Sequence, residues 1–290
     1  MSEIIKNRSE ILFLYDAKLC NPNGDPMDGN RPRLDEQQHC LVTDVRLKRT
    51  VRDYLFEKGY DGTSTQGDIF IRTDIVVTGE GRSKSYKDKD DFIRQYIDAR
   101  MFGAVSAPKD KKKVFHLTGA VQFGMGRSLH PVRENFIKGT GGFSTKEDSA
   151  QRTFREEYNI GYGLIGFHGV INEQAAKHTL LTDSDVAMLM KGLWDGTKNL
   201  LTRSKKGHMP RLLLKIDYKD GFFIGDLPEL VRPVPKDTHQ TELYFTDLTD
   251  YTLDVSALNA ALEQHQDKII SVSCQQDERL ELSAPIFQKG

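Results

Sequence analysis

The sequence predicts an α+β fold, a split β-α-β arrangement of the ferredoxin-like kind. Three observations predict it. Apolar runs of strand length, such as Ser9-Glu-Ile-Leu-Phe-Leu-Tyr-Asp16, alternate along the chain with segments of helical period. Those helical segments are apolar on one side only, so each needs a sheet to lie on. The two periods are mixed through the chain, and no internal repeat divides it. The 290 residues leave ample room for a core, and we read residues 1–290 as a single domain.

The first strand feeds a loop, Asn21-Pro-Asn-Gly-Asp-Pro26, which continues through Gly29-Asn-Arg-Pro-Arg33. Gly and Asn tolerate positive φ and Pro fixes its own, so this density of the three makes a shaped turn. A helix is expected over Val42 to Leu55. Leu47, Val51, Tyr54 and Leu55 fall on one side of it, and Arg46, Lys48, Arg49 and Arg52 on the other. Thr43 is the candidate N-cap, with Asp44 in the first turn. No acid interleaves the four cations; Asp53 comes only after them. The expectation is that the apolar side lies on the sheet and the cations face out. With Arg31 and Arg33 they would offer a polyanion a basic surface. The competing reading is an ordinary solvated helix face.

Asp68 to Thr78 reads as a second strand or a short pair. Residues 79–91 are polar and lysine-rich, a loop or part of an inserted lobe. Asp91 to Phe102 has helical i,i+4 pairs, Phe92 with Tyr96 and Ile93 with Ile97 and Met101. Val114 to Phe123 resumes strand character. Residues 124–158 lack sustained apolar periodicity, and a loop of that length is functional or disordered. Ile160 to Val170 returns as a strand. Thr182-Asp-Ser-Asp185 resembles a capping box, and the helix after it carries Gly192 and Gly196 inside, read as room for a neighbour. Arg203-Ser-Lys-Lys-Gly-His208 is a basic turn and Arg211 to Tyr218 a strand. The remainder alternates short strands with one helix, Val255 to Gln264.

The formal charge is -1, but it is unevenly spread. From residue 217 onward 6 Lys and Arg stand against 14 Asp and Glu; before it, 35 stand against 28. A basic body with an acidic C-terminal quarter suits a protein that meets a polyanion on one side and its own copies on another. Cys20, Cys40 and Cys274 have no paired spacing, which argues against a disulfide framework or a zinc site. No run approaches membrane-spanning length and the start is polar, so a cytoplasmic location is expected.

Catalytic motifs are missing. Gly139-Thr-Gly-Gly142 is not followed by Gly-Lys-Ser/Thr, and neither Gly-x-Ser-x-Gly nor His-Glu-x-x-His occurs. His130, His168 and His208 are candidate acid–base groups, though a lone His is more often a core or surface residue. Asp16, Asp25, Asp28 and Asp35 crowd the opening loop. Acids beside a phosphate path can hold a metal for strand cleavage, but turn-forming Asx residues are the preferred reading. Residues 124–158 interleave Arg127, Arg133, Lys138, Lys146, Arg152 and Arg155 with Phe136, Phe143 and Phe154. That mixture suits single-stranded nucleic acid, cations on phosphates and rings on bases. A loop with ordinary surface charge has the same composition.

Asn21-Pro-Asn-Gly-Asp-Pro26, Asn30-Arg-Pro-Arg33 and Val42-Thr-Asp-Val-Arg-Leu-Lys-Arg49 together resemble the backbone subunit of type I CRISPR effector complexes (Cascade), in its I-B and I-C branches. Ala99-Arg-Met-Phe-Gly-Ala104, Gly119-Ala-Val-Gln-Phe123 with Arg127-Ser128, and Tyr162-Gly-Leu-Ile-Gly-Phe-His-Gly169 resemble the same family. The set runs in order over most of residues 9–215; the acidic part carries little that matches.

The resemblance implies a modified RNA-recognition fold shaped like a hand. Its ferredoxin-like palm would be completed by residues 217–290, and residues 124–158 would form a thumb hairpin. It implies a non-catalytic subunit that stacks with copies of itself along CRISPR RNA and presents the guide to target DNA. Other Cascade subunits would be partners: the 5′-handle-capping, large and small subunits, and transiently the helicase-nuclease. Asn21, Asn23, Asn30, Arg31 and Arg33 would line the RNA path. Arg46, Lys48, Arg49 and Arg52 would hold phosphates, with Arg127 nearby, and Lys138, Thr140 and Phe143 would sit at the thumb tip. No cofactor or metal is implied. The enzyme alternative is a metal-dependent ribonuclease like the backbone subunits of type III complexes, with Asp25 and Asp28 placed to cut. A third reading is a protein-only oligomer driven by the charge split.

Overall fold

Ser9 through Ala17 are buried without interruption. A strand with no wet face must sit inside a sheet covered on both sides, and that requirement organises the molecule. The structure, a computed structural model, describes residues 3–63, 66–72, 78–140 and 154–289. The elements that position the interface are β1 (Arg8–Cys20), α1 (Asp44–Glu57), β2 (Val121–Phe123), β3 (Gly126–Ser128), β4 (Glu134–Thr140), β5 (Phe154–Ile171), α2 (Asp183–Lys198), β6 (His208–Tyr218) and β7 (Ile269–Gln276).

These strands and the short strand Leu41–Val42 form one antiparallel sheet. Its order is β7-β6-β1-β5-β3 and then Leu41–Val42, and β2 and β4 also pair with β5. The protein is therefore a mixed α/β protein built on an antiparallel sheet. Ile11, Phe13 and Tyr15 of β1 face α1 and α2, packing with Leu47, Val51, Leu55, Leu189 and Leu193. Leu12 and Leu14 face the other way, into a core with Tyr251, Leu253, Leu258 and Leu262. The acidic C-terminal quarter thus supplies the cover for the second face and, as β7, an edge strand.

α2 begins as expected, with Thr182 and Asp185 making a reciprocal capping box. A Cβ on its Gly192 would stand 3.0 Å from Val51, and one on Gly196 would stand 3.1 Å from Tyr54. Both glycines let α2 settle against α1.

β5 spans more partners than any strand beside it. Its C-terminal stretch pairs with β1 on one side and with β2 and β3 on the other; β1 stops opposite Ile160. Residues 154–159 pair only with β4, so the β4–β5 ladder projects past the end of β1. The stretch read as an unpatterned loop, 124–158, is therefore strand over much of its described length. Alternation was hidden there because a two-stranded ladder has little core to bury. Residues 141–153 lie outside the described residues.

Two other expectations are corrected. The helix expected over Asp91–Phe102 is two helices, Lys89–Gln95 and Ile97–Phe102. Tyr96 between them is extended because it bridges to Asp68, whose carbonyl accepts the Ile97 N–H at 3.2 Å. The strand expected from Asp68 onward is not formed by residues 68–72. Asp68 instead takes Arg72 and Arg82 on its carboxylate, at 3.2 and 3.0 Å. This segment packs Phe70, Tyr86, Phe92, Tyr96 and Phe115 into a small aromatic cluster of its own, apart from the two sheet cores.

Candidate nucleic-acid interface

The opening loop folds as a miniature hairpin, with Gly24–Asp25 paired to Arg31–Pro32. Gly29 and Asn30 both take positive φ, at 54° and 60°. The backbone carbonyl of Asp25 accepts the N–H groups of Asp28 and Asn30 at 3.1 and 2.8 Å. A Cβ on Gly24 would lie 2.1 Å from the Asn30 side chain, so no other residue fits there.

The asparagines hold this loop to the fold. Asn21 is buried, and its amide donates to the carbonyls of Asn30 at 2.6 Å and Tyr158 at 3.4 Å. The Asn23 Oδ1 accepts from both the N–H and the hydroxyl of Thr43, each at 2.9 Å. Thr43 in turn caps α1 by accepting from the Arg46 N–H. The loop and the start of α1 are one unit.

A groove of about 520 Å³ opens between this loop and the root of the β4–β5 ladder. Arg31, Arg33, Gln38, Thr43 and Met125 line it together with Asp25, Asp28, Asp35 and Glu134. It is less cationic than the sequence led us to expect. Arg31 is clamped bidentately to Glu134, at 2.9 and 2.6 Å. Arg33 meets Asp25 at 3.1 Å, and Arg127 meets Asp35 and the Gln37 amide oxygen, both at 2.9 Å. Asp25 also accepts the Met27 N–H, so it works as a turn former and ion-pair partner. Asp16, another of the crowded acids, is buried against Arg211 at 2.8 Å. Among the described residues no cluster of three His, Cys, Asp or Glu side chains could hold a metal ion.

Above the groove the ladder carries a row of rings and cations. The Arg31 guanidinium lies over Tyr158 at 5.1 Å from its centroid, and Phe136 stacks on the same ring at 4.7 Å. Lys138 follows over Phe136 at 5.5 Å, with Glu156 at 3.6 Å from its ammonium. Phe136 is 46% exposed, a high figure for a Phe that its fold does not need in the core. Thr140 ends β4 opposite Phe154. Phe143 lies outside the described residues.

The helix cations need the plainest correction. Arg52 does not face out: its side chain is 7% exposed and bonds Asp98, itself 1% exposed, at 2.8 Å. Lys48 reaches back to Asp44 at 2.8 Å and Arg49 forward to Asp53 at 3.3 Å and to the Ile71 carbonyl. The inserted segment after α1 covers that side of the helix, which periodicity could not foresee. Arg46 alone of the four has no carboxylate within 4.0 Å among the described residues; its guanidinium donates to the Thr50 hydroxyl at 3.1 Å. A solvated four-cation phosphate face is therefore not what α1 presents.

The three histidines are structural. His130 is buried and pushed down to about 4 by burial, and its Nε2 accepts the Leu164 N–H. His208 is likewise held low, to about 3, by burial and then by Lys205. His168 bonds Glu10, which also takes Tyr218 and the N–H groups of Ile224 and Gly225.

Sequence reasoning missed Tyr158 as part of the ring row, and it missed Lys205. The basic turn Arg203–His208 was visible, but its place beside the opening loop was not. Lys205 donates to the carbonyls of Asn21 and Pro22, the latter at 2.9 Å.

Fold and site together define a mixed α/β protein with an open groove and a projecting ladder rather than a closed cleft. The comparisons with known proteins give the family. The sequence profile of the family described as "CRISPR-associated protein Cas7" matches residues 7–256. The protein "CRISPR-associated protein Cas7" of Haloferax volcanii is 34% identical over 305 residues, covering 95% of this chain and 88% of its own. The chain belongs to the Cas7 family of CRISPR-associated proteins. Among solved structures, a chain of a "CRISPR RNA-guided surveillance complex" superposes with a TM-score of 0.56 at 16% identity, over 97% of this chain and 93% of that one. A second, described as a "CRISPR RNA-guided surveillance complex, pre-nicking", gives 0.53 at 14% identity, over 95% of each. At such identities the likeness is one of fold.

Proposed function

We propose that this chain is the non-catalytic RNA-binding backbone subunit of a type I CRISPR surveillance complex, polymerising along the guide RNA and displaying it for pairing with target DNA. The observation that carries the reading is the family match over residues 7–256. The fold supports its finer parts. Strands β6-β1-β5 and then β2 and β3, with α1 after β1 and α2 after β5, follow the order of a split β-α-β, ferredoxin-like palm. The β4–β5 ladder serves as the thumb, and the aromatic cluster around Phe92 as the inserted lobe.

On this reading the RNA runs through the groove beside Arg31 and Arg33. Bases rest against the exposed Phe136, and the backbone passes the start of α1. Lys138, Thr140 and Phe143 remain the thumb-tip candidates. Copies of the chain, the target strand and the other Cascade subunits are the partners. The ribonuclease alternative fares worse, because Asp25 is engaged by Arg33 and by its own turn.

The test is to purify the chain from cells that carry a CRISPR array and to sequence what accompanies it. Short RNAs with repeat-derived ends are expected. A preparation that is still filamentous but free of nucleic acid would overturn the reading in favour of a protein-only oligomer.

A further inference from the structure

The arginines of the groove are answered by carboxylates, and the groove as a whole is not cationic. Arg31 and Arg33 line it against Asp25, Asp28, Asp35 and Glu134, two cations against four anions. Arg127, bonded to Asp35, brings the balance only to three against four. A chain of phosphates would meet net repulsion there if every pair stayed closed.

These pairs differ from the one that locks α1. The side chains of Arg31, Arg33 and Arg127 are 44%, 38% and 41% exposed, against 7% for Arg52 on Asp98. Their carboxylates are each at least 20% exposed, so neither member of a pair would be stranded away from water if the pair opened. Nor is the closed arrangement complete. The Nε–H of Arg33 is buried and has no acceptor among the described residues, while its Nη1 meets Asp25 at 3.1 Å. An orphaned N–H is costly, and a differently placed acceptor would relieve it. The groove, about 520 Å³, has room for that acceptor.

We propose that Glu134, Asp25 and Asp35 are phosphate surrogates: they occupy Arg31, Arg33 and Arg127 in the chain on its own and are exchanged for phosphodiester oxygens as the strand enters the groove. This rests on the RNA-binding reading above and deepens it, by naming three residues that set the affinity of the groove without being contacts. A carboxylate and a phosphodiester both offer a guanidinium fork a pair of oxygens. The bidentate grip of Arg31 on Glu134, at 2.9 and 2.6 Å, is thus the kind of grip a phosphate would take. The loop does not lose its shape when the pairs open. Asp25 still accepts the Met27 N–H, and Asp35 still accepts those of Gln37 and His39. The competing role, Glu134 as a brace that holds Arg31 over Tyr158, predicts an effect of opposite sign.

The experiment uses the purified full-length chain and a labelled oligoadenylate, with affinity read by anisotropy over a salt series. Glu134→Gln, Asp25→Asn and Asp35→Asn keep the shape and one accepting oxygen of each side chain and remove its charge. Each should bind about fivefold more tightly than wild type at low salt. Each should also steepen the salt slope by about 0.7, because no freed acid recaptures a cation when the arginine meets a phosphate. In an Arg31→Met background the gain from Glu134→Gln should vanish, since release of that arginine is its source. If Glu134→Gln fails to fold, Asp25→Asn decides, with Arg33→Met as the background. Weaker or unchanged binding would make the acid a brace, and a gain that persists without its arginine would make it an effect of overall charge. Either result overturns the exchange and leaves the RNA-binding reading standing. Wild type and variants that all bind no oligoadenylate would bring down the reading itself.

Discussion

The two ends of α1 carry the same residue type under opposite conditions. Near its C-terminal end Arg52 is buried and bonded to Asp98, and it lies over the Phe102 ring at 5.2 Å. Near its N-terminal end Arg46 is sheltered too, yet among the described residues no carboxylate lies within 4.0 Å of it. Five residues lie between two arginines, of which one locks an inserted segment onto the fold and the other donates to the Thr50 hydroxyl of its own helix. What distinguishes them is not propensity or periodicity but where the nearest acid falls, and Asp98 lies 46 residues away.

The largest expected effect tests that difference directly. Arg52→Ala should cost about 3–5 kcal/mol, because Asp98 would stay buried without its cation. Arg46→Ala should cost under about 1 kcal/mol and act on RNA affinity instead. Urea titration of the two variants checks it; equal destabilisation would dissolve the contrast between the ends of the helix.

Acid should reveal a second buried dependence on charge. Burial keeps His130 neutral in the fold against the opposing pull of the Pro131 carbonyl at 2.8 Å, and its Nε2 accepts the Leu164 N–H. Protonating Nε2 would set a proton against the Leu164 N–H. The folded value, about 4, lies below the ordinary 6.5. The folded state thus binds fewer protons, and the contribution is whole above about pH 6.5 and drains away as pH falls toward 4. The loss is about 3 kcal/mol by pH 4. Melting temperature against pH checks it: the fall should be shallower in His130→Gln. His208, held low by burial and then by Lys205, adds a loss of the same sign.

Much of the fold was legible because local and tertiary demands agreed. The run from Ser9 to Asp16 could only be an inner strand, Thr182-Asp-Ser-Asp185 announced its helix, and Gly192 and Gly196 announced a close neighbour. The shaped loop was legible from Gly24, Gly29 and Asn30 for the same reason: few residues tolerate what those positions require. Legibility failed where a residue's state is set by a distant partner. Tyr96 breaks a good helical pattern to bridge Asp68. Arg31 and Arg127 looked free and are held by acids 103 and 92 residues away, Glu134 and Asp35, while Arg33 is held by Asp25 across the folded loop. Lys205 was visible as charge but not as a neighbour of Asn21 and Pro22, since only the β1–β6 pairing brings that turn to the loop.

The smallest effect is the one that sharpens the comparison most. Lys48 sits between the two arginines, with its side chain 12% exposed, its ammonium on Asp44 at 2.8 Å and over the Phe102 ring at 5.6 Å. Lys48→Met keeps the aliphatic stem against the helix neighbours and removes only the charge. An i,i+4 pair of this kind contributes about 0.3–0.5 kcal/mol, so the melting temperature should barely move. If the helix presented a continuous phosphate face, this substitution would nonetheless lower the salt slope of RNA binding by about one. If Lys48 belongs with Arg52 among the inwardly satisfied cations, the slope stays at its wild-type value. A lowered slope would restore the whole outer side of α1 to the RNA path and remove the reason for treating Arg46 as different from its neighbours.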